Sequence, residues 1–223
     1  SNLSASGNVT LNDVATAGIT LDTLEADANV IITAAGNTAI TNDAALALQG
    51  AVTGTLAATA TTGDITDSDA LAVSGASVFT LGADGTNITL DSAANAFSGA
   101  VTLKAGSSGG QTFGNIVFVD SGAVDFDSAA SADGDLFLDG GTDNTVGGTL
   151  AVTATTGGIT DSATIAVTGD LTLNDVATAG ITLDTLEADA NVILTAAGNT
   201  AITNDAALAL SLIHISEPTR RRT

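Results

Sequence analysis

Short runs in which apolar and small polar residues alternate recur along almost the whole chain: Val9-Thr-Leu11, Ile19-Thr-Leu21, Leu150-Ala-Val152, Ile165-Ala-Val167, Leu171-Thr-Leu173, Ile181-Thr-Leu183 and Leu208-Ala-Leu210. A period of two places every second side chain on one face, so each run predicts a short β-strand with one face buried. The runs are separated by clusters of turn-forming residues such as Thr155-Thr-Gly-Gly158, Ala197-Gly-Asn199 and Thr203-Asn-Asp205, where Gly frees the backbone and Asn and Asp bond back to it. Strands of three to five residues joined this way do not make one wide flat sheet. Leu21 to Ala28 has locally helical spacing, but its Thr- and Val-rich surroundings predict a turn or short strand there.

Repetition narrows the architecture further. Leu11 to Leu48 recurs as Leu173 to Leu210 with one difference in 38 positions, Ile32 becoming Leu194, at an offset of 162 residues. Gly54 to Val73 recurs as Gly148 to Val167 with 15 of 20 positions identical, at an offset of 94. Two or three short strands per coil, in coils of roughly 18 to 22 residues, predict a solenoid in which each strand stacks on its equivalent one coil later. On that scale 162 residues correspond to about eight coils and 94 to about five, and about ten coils fit in residues 1–210. The predicted fold is all-β, a parallel β-solenoid with Leu, Ile and Val ladders inside and Thr and Asp outside. Pro218 is the only proline, which agrees with stacked central strands, because proline would remove a ladder hydrogen bond. Immunoglobulin-like sandwiches need longer strands, about 100 residues per domain and usually a core Trp or Tyr, and the chain has neither Trp nor Tyr.

Composition and charge sharpen this picture. Cys, Met, Trp and Tyr are absent, and the six Phe residues fall between Phe79 and Phe137, so the core is built from small aliphatic layers. Of the 25 acidic residues only Glu217 lies beyond residue 210, which leaves Lys104 as the only base against 24 carboxylates in residues 1–210. Such a surface repels nucleic-acid phosphates and anionic lipid headgroups, so no nucleic-acid partner is expected. No apolar run approaches the roughly 18 to 20 residues of a membrane-spanning helix. The absence of Cys excludes disulfides and thiolate metal sites. It is compatible with export of an unfolded chain. Ser1 opens in the middle of the repeat pattern, so the chain reads as an uncapped internal fragment.

Residues 210–220, LSLIHISEPTR, resemble the one-frame translation of a transposase adapter used in preparing DNA sequencing libraries. The composition also breaks there: His214, Pro218 and Arg220 to Arg222 have no counterpart upstream. Residues 1–210 are therefore taken as the solenoid repeat region and 211–223 as a non-native tail with no functional weight.

Three motifs, Gly148 to Gly157 (GTLAVTATTG), Ile181 to Thr185 (ITLDT) and Asn95 to Leu103 (NAFSGAVTL), resemble the β-strand repeats of filamentous haemagglutinin-like adhesins and related giant surface proteins of Gram-negative bacteria. The resemblance implies a right-handed β-helical shaft. It further implies export through an outer-membrane secretion partner, display or release at the cell surface, and a host-surface, matrix or polysaccharide ligand.

Candidate chemistry is sparse. Outside the tail the ionisable groups are Asp residues, Glu25, Glu187 and Lys104. A glycoside-cleaving carboxylate pair would need basic partners for an acidic sugar, and Glu25 and Glu187 occupy equivalent repeat positions, so a non-catalytic protein without a cofactor is expected. Calcium is the one candidate ion, since Asp, Asn and carbonyls of Gly-rich turns are its ligands. The densest such places are Asp133-Gly-Asp135 and Asp139-Gly-Gly-Thr-Asp143, which makes Asp133, Asp135, Asp139 and Asp143 the candidate ligands, although they lack the nonapeptide spacing of calcium-binding β-rolls. The alternative to a passive adhesive shaft is thus a calcium-stiffened polysaccharide-binding or lyase-like β-helix. Outward Thr149, Thr153 and Thr155 suit an ice-binding ladder, but Thr is the ordinary exposed residue of strands.

Overall fold

A computed structural model of the chain describes residues 2–106, 112–129, 131–140, 145–204 and, as backbone, 209–213. The described residues form strands and turns without helices, arranged in two parallel sheets of 13 and 11 strands. Successive strands from Val9–Asp13 to Ser77–Leu81 alternate between the sheets, so one coil is two strands and two corners. This is the expected β-solenoid. Leu21 to Ala26 lies in an eight-residue strand, Ile19–Ala26, and not in a helix.

Ten strands lie along the second sheet, which makes nine coils. Their register shows why the count falls below ten. Val9 pairs with Val30 and Leu46 with Ile65, at the expected spacing, but Ile88 pairs with Ile116 and Ile116 with Leu150, so the middle coils lengthen to 28 and 34 residues. The extra chain lies between Ala105 and Ile116 and between Phe126 and Leu150, the latter stretch adding the strand Asp135–Asp139, which slots into the first sheet between Val101–Ala105 and Val124–Phe126. As a result the 162-residue offset from Val30 to Val192 spans seven coils, not eight. The 94-residue offset is not a whole number of coils: Leu56 opens a strand of the first sheet, whereas its counterpart Leu150 opens a strand of the second. One sequence therefore serves both walls.

The core consists of in-register ladders. Leu46, Ile65, Ile88, Ile116, Leu150, Leu171 and Val192 stack in one inward row, each no more than 1% exposed. Burying each such side chain contributes about 1.5–3 kcal/mol. The phenylalanines enter where the coils are longest: Phe97 stacks on Phe118 at 5.4 Å between ring centroids and meets Phe79 edge-on at 5.9 Å. Larger side chains fill the space that longer coils enclose.

The corners carry a second, polar ladder. Asp64, Asn87, Asn115 and Thr149 each immediately precede a strand of the second sheet. Asp64 Oδ1 accepts from Asn87 N, Asn87 Oδ1 from Asn115 N and Asn115 Oδ1 from Thr149 N, at 2.7–2.9 Å. The side chains of Asp64, Asn87 and Asn115 thus bind the backbone of the next coil, and each of the four carbonyls accepts from a strand-opening N–H, as in Ile65 N to Asn87 O and Ile116 N to Thr149 O. Inside, Asn42 is fully buried and bonds Ala26 N, Ala26 O and Ala45 O, while Asn95 accepts from Leu71 N. Buried amides with this many partners are stabilising, because an unpaired one costs about 1–3 kcal/mol.

The tight corners also exclude side chains. A Cβ at Gly148 would lie 2.3 Å from Gly114 O and 2.5 Å from Asn115 Oδ1. Gly148→Ala should therefore lower stability by about 1–3 kcal/mol, read as a lower urea midpoint. An unchanged midpoint would show that the corner ladder yields freely.

Candidate functional site

The structure separates the four sequence-derived calcium candidates. Asp133 is exposed at the surface. Asp139 is ion-paired with Lys104, both side chains partly solvated. Asp143 lies outside the described residues. Only Asp135 joins other carboxylates: Asp125, Asp127 and Asp135 bring an oxygen each to within 4.8 Å of one another. Asp125 faces Asp135 by strand pairing, Asp125 opposite Asp135 and Phe126 opposite Leu136. Asp127 joins because it lies two residues beyond Asp125, on the same side of the chain. The Asp125-Phe-Asp127 alternation was the available signal for these two, and it is visible only once the register is known.

Donors already surround the three carboxylates. Thr160 Oγ1 donates to Asp125 Oδ1 at 2.8 Å and Ser162 Oγ to Oδ2 at 2.7 Å. Ser131 N and Ala132 N donate to Asp135 Oδ2 at 2.9 and 2.6 Å, closing the turn before its strand. Ser128 N donates to Asp127 Oδ1. Three carboxylate oxygens at this spacing are hard donors suited to Ca²⁺, but the neutral donors already offset part of their mutual repulsion.

Other carboxylates do similar structural work. Asp161 caps the backbone N–H groups of Asp184 and Thr185, and Asp67 those of Asp91 and Ser92. At Asp84 the backbone N–H and hydroxyl of Thr112 hold the carboxyl below the ordinary carboxylate range. Asp120 is the opposite case. It is 3% exposed, burial pushes its pKa up, and the N–H groups of Phe97, donating to Oδ1 at 2.9 Å, and of Ser121 and Gly122 only partly oppose this. It occupies the kind of position that Asn95 fills at Leu71, side-chain oxygen on the N–H of an earlier coil. Sequence reading placed Asp outside and did not anticipate this inward acid.

Residues 35–104 match the family described as repeats of unknown function (DUF5649). The matched stretch covers a little over three coils, from the strand Thr38–Asn42 to Val101–Ala105, and includes the Gly54 to Val73 repeat. No curated protein and no solved structure matches the chain.

Two outcomes follow from this geometry. Because the folded state binds the Asp120 proton more tightly than the unfolded chain does, this residue makes the protein gain stability as pH falls through its raised folded pKa towards the ordinary carboxylate value. Asp120→Asn removes the buried charge and keeps the acceptor for Phe97 N–H, so its Tm relative to the original chain should rise by a few degrees between pH 4 and pH 7. A difference in Tm that does not change over that range would contradict the buried-charge account. In thermal melts followed by far-UV circular dichroism, millimolar Ca²⁺ should move Tm of the intact chain by less than about 3 °C. A larger rise, abolished in the double variant D125N/D127N, would establish a calcium site at these carboxylates.

Proposed function

We propose that the chain is a structural repeat shaft, a non-catalytic stretch of a large secreted or surface-displayed bacterial protein with an adhesive role. The observation that carries the structural part is the continuity of the stack. Nine coils stack in a continuous run of parallel pairings, interrupted only by local register shifts such as that between Leu48 and Gly50, and the ionisable side chains serve mainly as corner caps. A rigid, repetitive, acidic solenoid suits a spacer, since each coil adds about 4.8 Å to its length and the outer charge keeps it soluble. The match to a repeat family agrees with this. Adhesion, export and surface display rest on the resemblance of the strand motifs to haemagglutinin-like repeats, and the non-catalytic reading on the scarcity of bases, Lys104 being the only one in residues 1–210 and paired with Asp139.

The second reading, a calcium-stiffened polysaccharide-binding or lyase-like β-helix, is favoured by the Asp125, Asp127 and Asp135 cluster alone. A panel of immobilised matrix proteins and acidic or neutral polysaccharides separates the two. The adhesive shaft should be retained on at least one surface without releasing new sugar ends. Release of sugar ends that is lost in D125N/D127N would replace the shaft with the enzyme-like reading, and no retention on any surface would remove the adhesive role.

A further inference from the structure

The chain holds three Asp-Gly pairs: Asp84-Gly85, Asp133-Gly134 and Asp139-Gly140. In such a pair the aspartate carboxyl can reach the following backbone nitrogen, and glycine, without a Cβ, neither shields that nitrogen nor restricts its peptide. The three pairs are chemically alike, so the fold decides which of them can react.

Two of the pairs are engaged on both sides. Asp84 Oδ1 accepts from Thr112 N at 2.8 Å and from Thr112 Oγ1 at 3.1 Å, which hold the carboxyl below its ordinary range, and Gly85 N donates to Thr112 O at 3.0 Å. Asp139 is ion-paired with Lys104, and Gly140 N donates to Leu138 O at 3.1 Å. Asp133-Gly134 differs in both respects. Asp133 is exposed, and among the described residues neither its carboxylate nor the Gly134 N–H takes part in a hydrogen bond. One long bond, Asp135 N to Ala132 O at 3.3 Å, closes the turn, with Gly134 at its third position and φ +89°, where glycine is the favoured residue. A Cβ at Gly134 would meet nothing nearer than Ala123 O at 3.5 Å, so the peptide between Asp133 and Gly134 has room to rotate.

We propose that Asp133-Gly134 is a site of spontaneous isoaspartate formation, while the other two pairs are held out of reaction by their bonds. Gly134 N attacks Cγ of the protonated Asp133 carboxyl. The N–Cγ bond forms, the carboxyl C–O bond breaks, and the hydroxyl leaves with the Gly134 N–H proton as one water, giving a five-membered imide. Water then adds to either imide carbonyl. Breaking the N–Cγ bond restores Asp133. Breaking the original peptide bond leaves Gly134 joined through Cγ and the former backbone carbonyl carbon as the free carboxylate. The reaction consumes no reagent but water and leaves the mass of the chain unchanged.

The product lengthens the main chain by one methylene inside the turn whose Ser131 and Ala132 N–H groups cap Asp135 Oδ2. Asp135 opens the strand Asp135–Asp139 and stands opposite Asp125, so the modification loosens the start of that strand. The proposal goes beyond the shaft reading and stands apart from it, because it depends on this turn alone.

The test ages the intact chain at neutral pH beside a sample unfolded in guanidinium chloride. Both are afterwards digested with Asp-N endoproteinase, which cuts before aspartate and not before isoaspartate, and each pair's rate of lost cleavage in the folded chain is divided by its own rate in the unfolded one. For Asp133 this ratio should lie at least about tenfold above the ratios for Asp84 and Asp139, whose hydrogen bonds or ion pair must open before they react. Asp133→Glu, which can close only a larger and slower ring, should remove most of the label that isoaspartyl methyltransferase transfers to the aged folded chain. If the ratio for Asp133 is as low as the other two, or D133E takes up as much label as the original chain, Asp133-Gly134 is not the site.

Discussion

Parallel stacking in register is the constraint on which everything else in this protein depends. A parallel strand satisfies its backbone only through the strands one coil before and one coil after, so no coil is stable without neighbours whose strands pair with its own. The inward ladder from Leu46 to Val192 and the polar ladder from Asp64 to Thr149 are two consequences of the same requirement. The first supplies most of the burial. The second fixes where each strand begins, because a side chain that bonds the next coil at its corner cannot tolerate a slip of one residue.

Glycine and the buried amides complete this device at the turns. Where two coils approach at Gly148, a side chain would collide with Gly114 O. Where a backbone group would otherwise be left inside, Asn42 or Asn95 reaches it. Asp120 performs the same task with a carboxylate and carries the burial penalty of a charge there. Acidic residues in this protein thus belong to two populations: a solvated majority that caps turns, and a few drawn inward by the geometry of the corners.

The strands and the fold class were legible because alternation of period two and a near-identical repeat are local properties of the sequence. Coil number was not, because the lengthening between Ile88 and Leu150 adds corner residues and one extra first-sheet strand, Asp135–Asp139, that nothing in the local alternation marks as extra. The acidic cluster was half legible. Asp135 stood out in its glycine-rich turn, whereas Asp125 and Asp127 are neighbours only through the pairing of Asp125 with Asp135. Asp139, equally prominent in sequence, is occupied by Lys104 from the adjacent strand. Burial of Asn42 and Asp120 depends on which corner turns inward, and residue type alone points the other way.

The placement of one repeated sequence in both walls bears on how such a gene can change length. Exchange between the two 38-residue copies removes or adds 162 residues, a whole number of coils, and every downstream strand keeps its wall. Exchange between the 20-residue copies joins a first-sheet strand to a second-sheet sequel, as Leu56 and Leu150 lie in opposite sheets, so all that follows changes sides. A strand that packs on either wall survives that swap, whereas the uneven corners around the long coils do not move with it. Heredity can therefore lengthen this rod smoothly by one kind of crossover and only with rebuilding by the other.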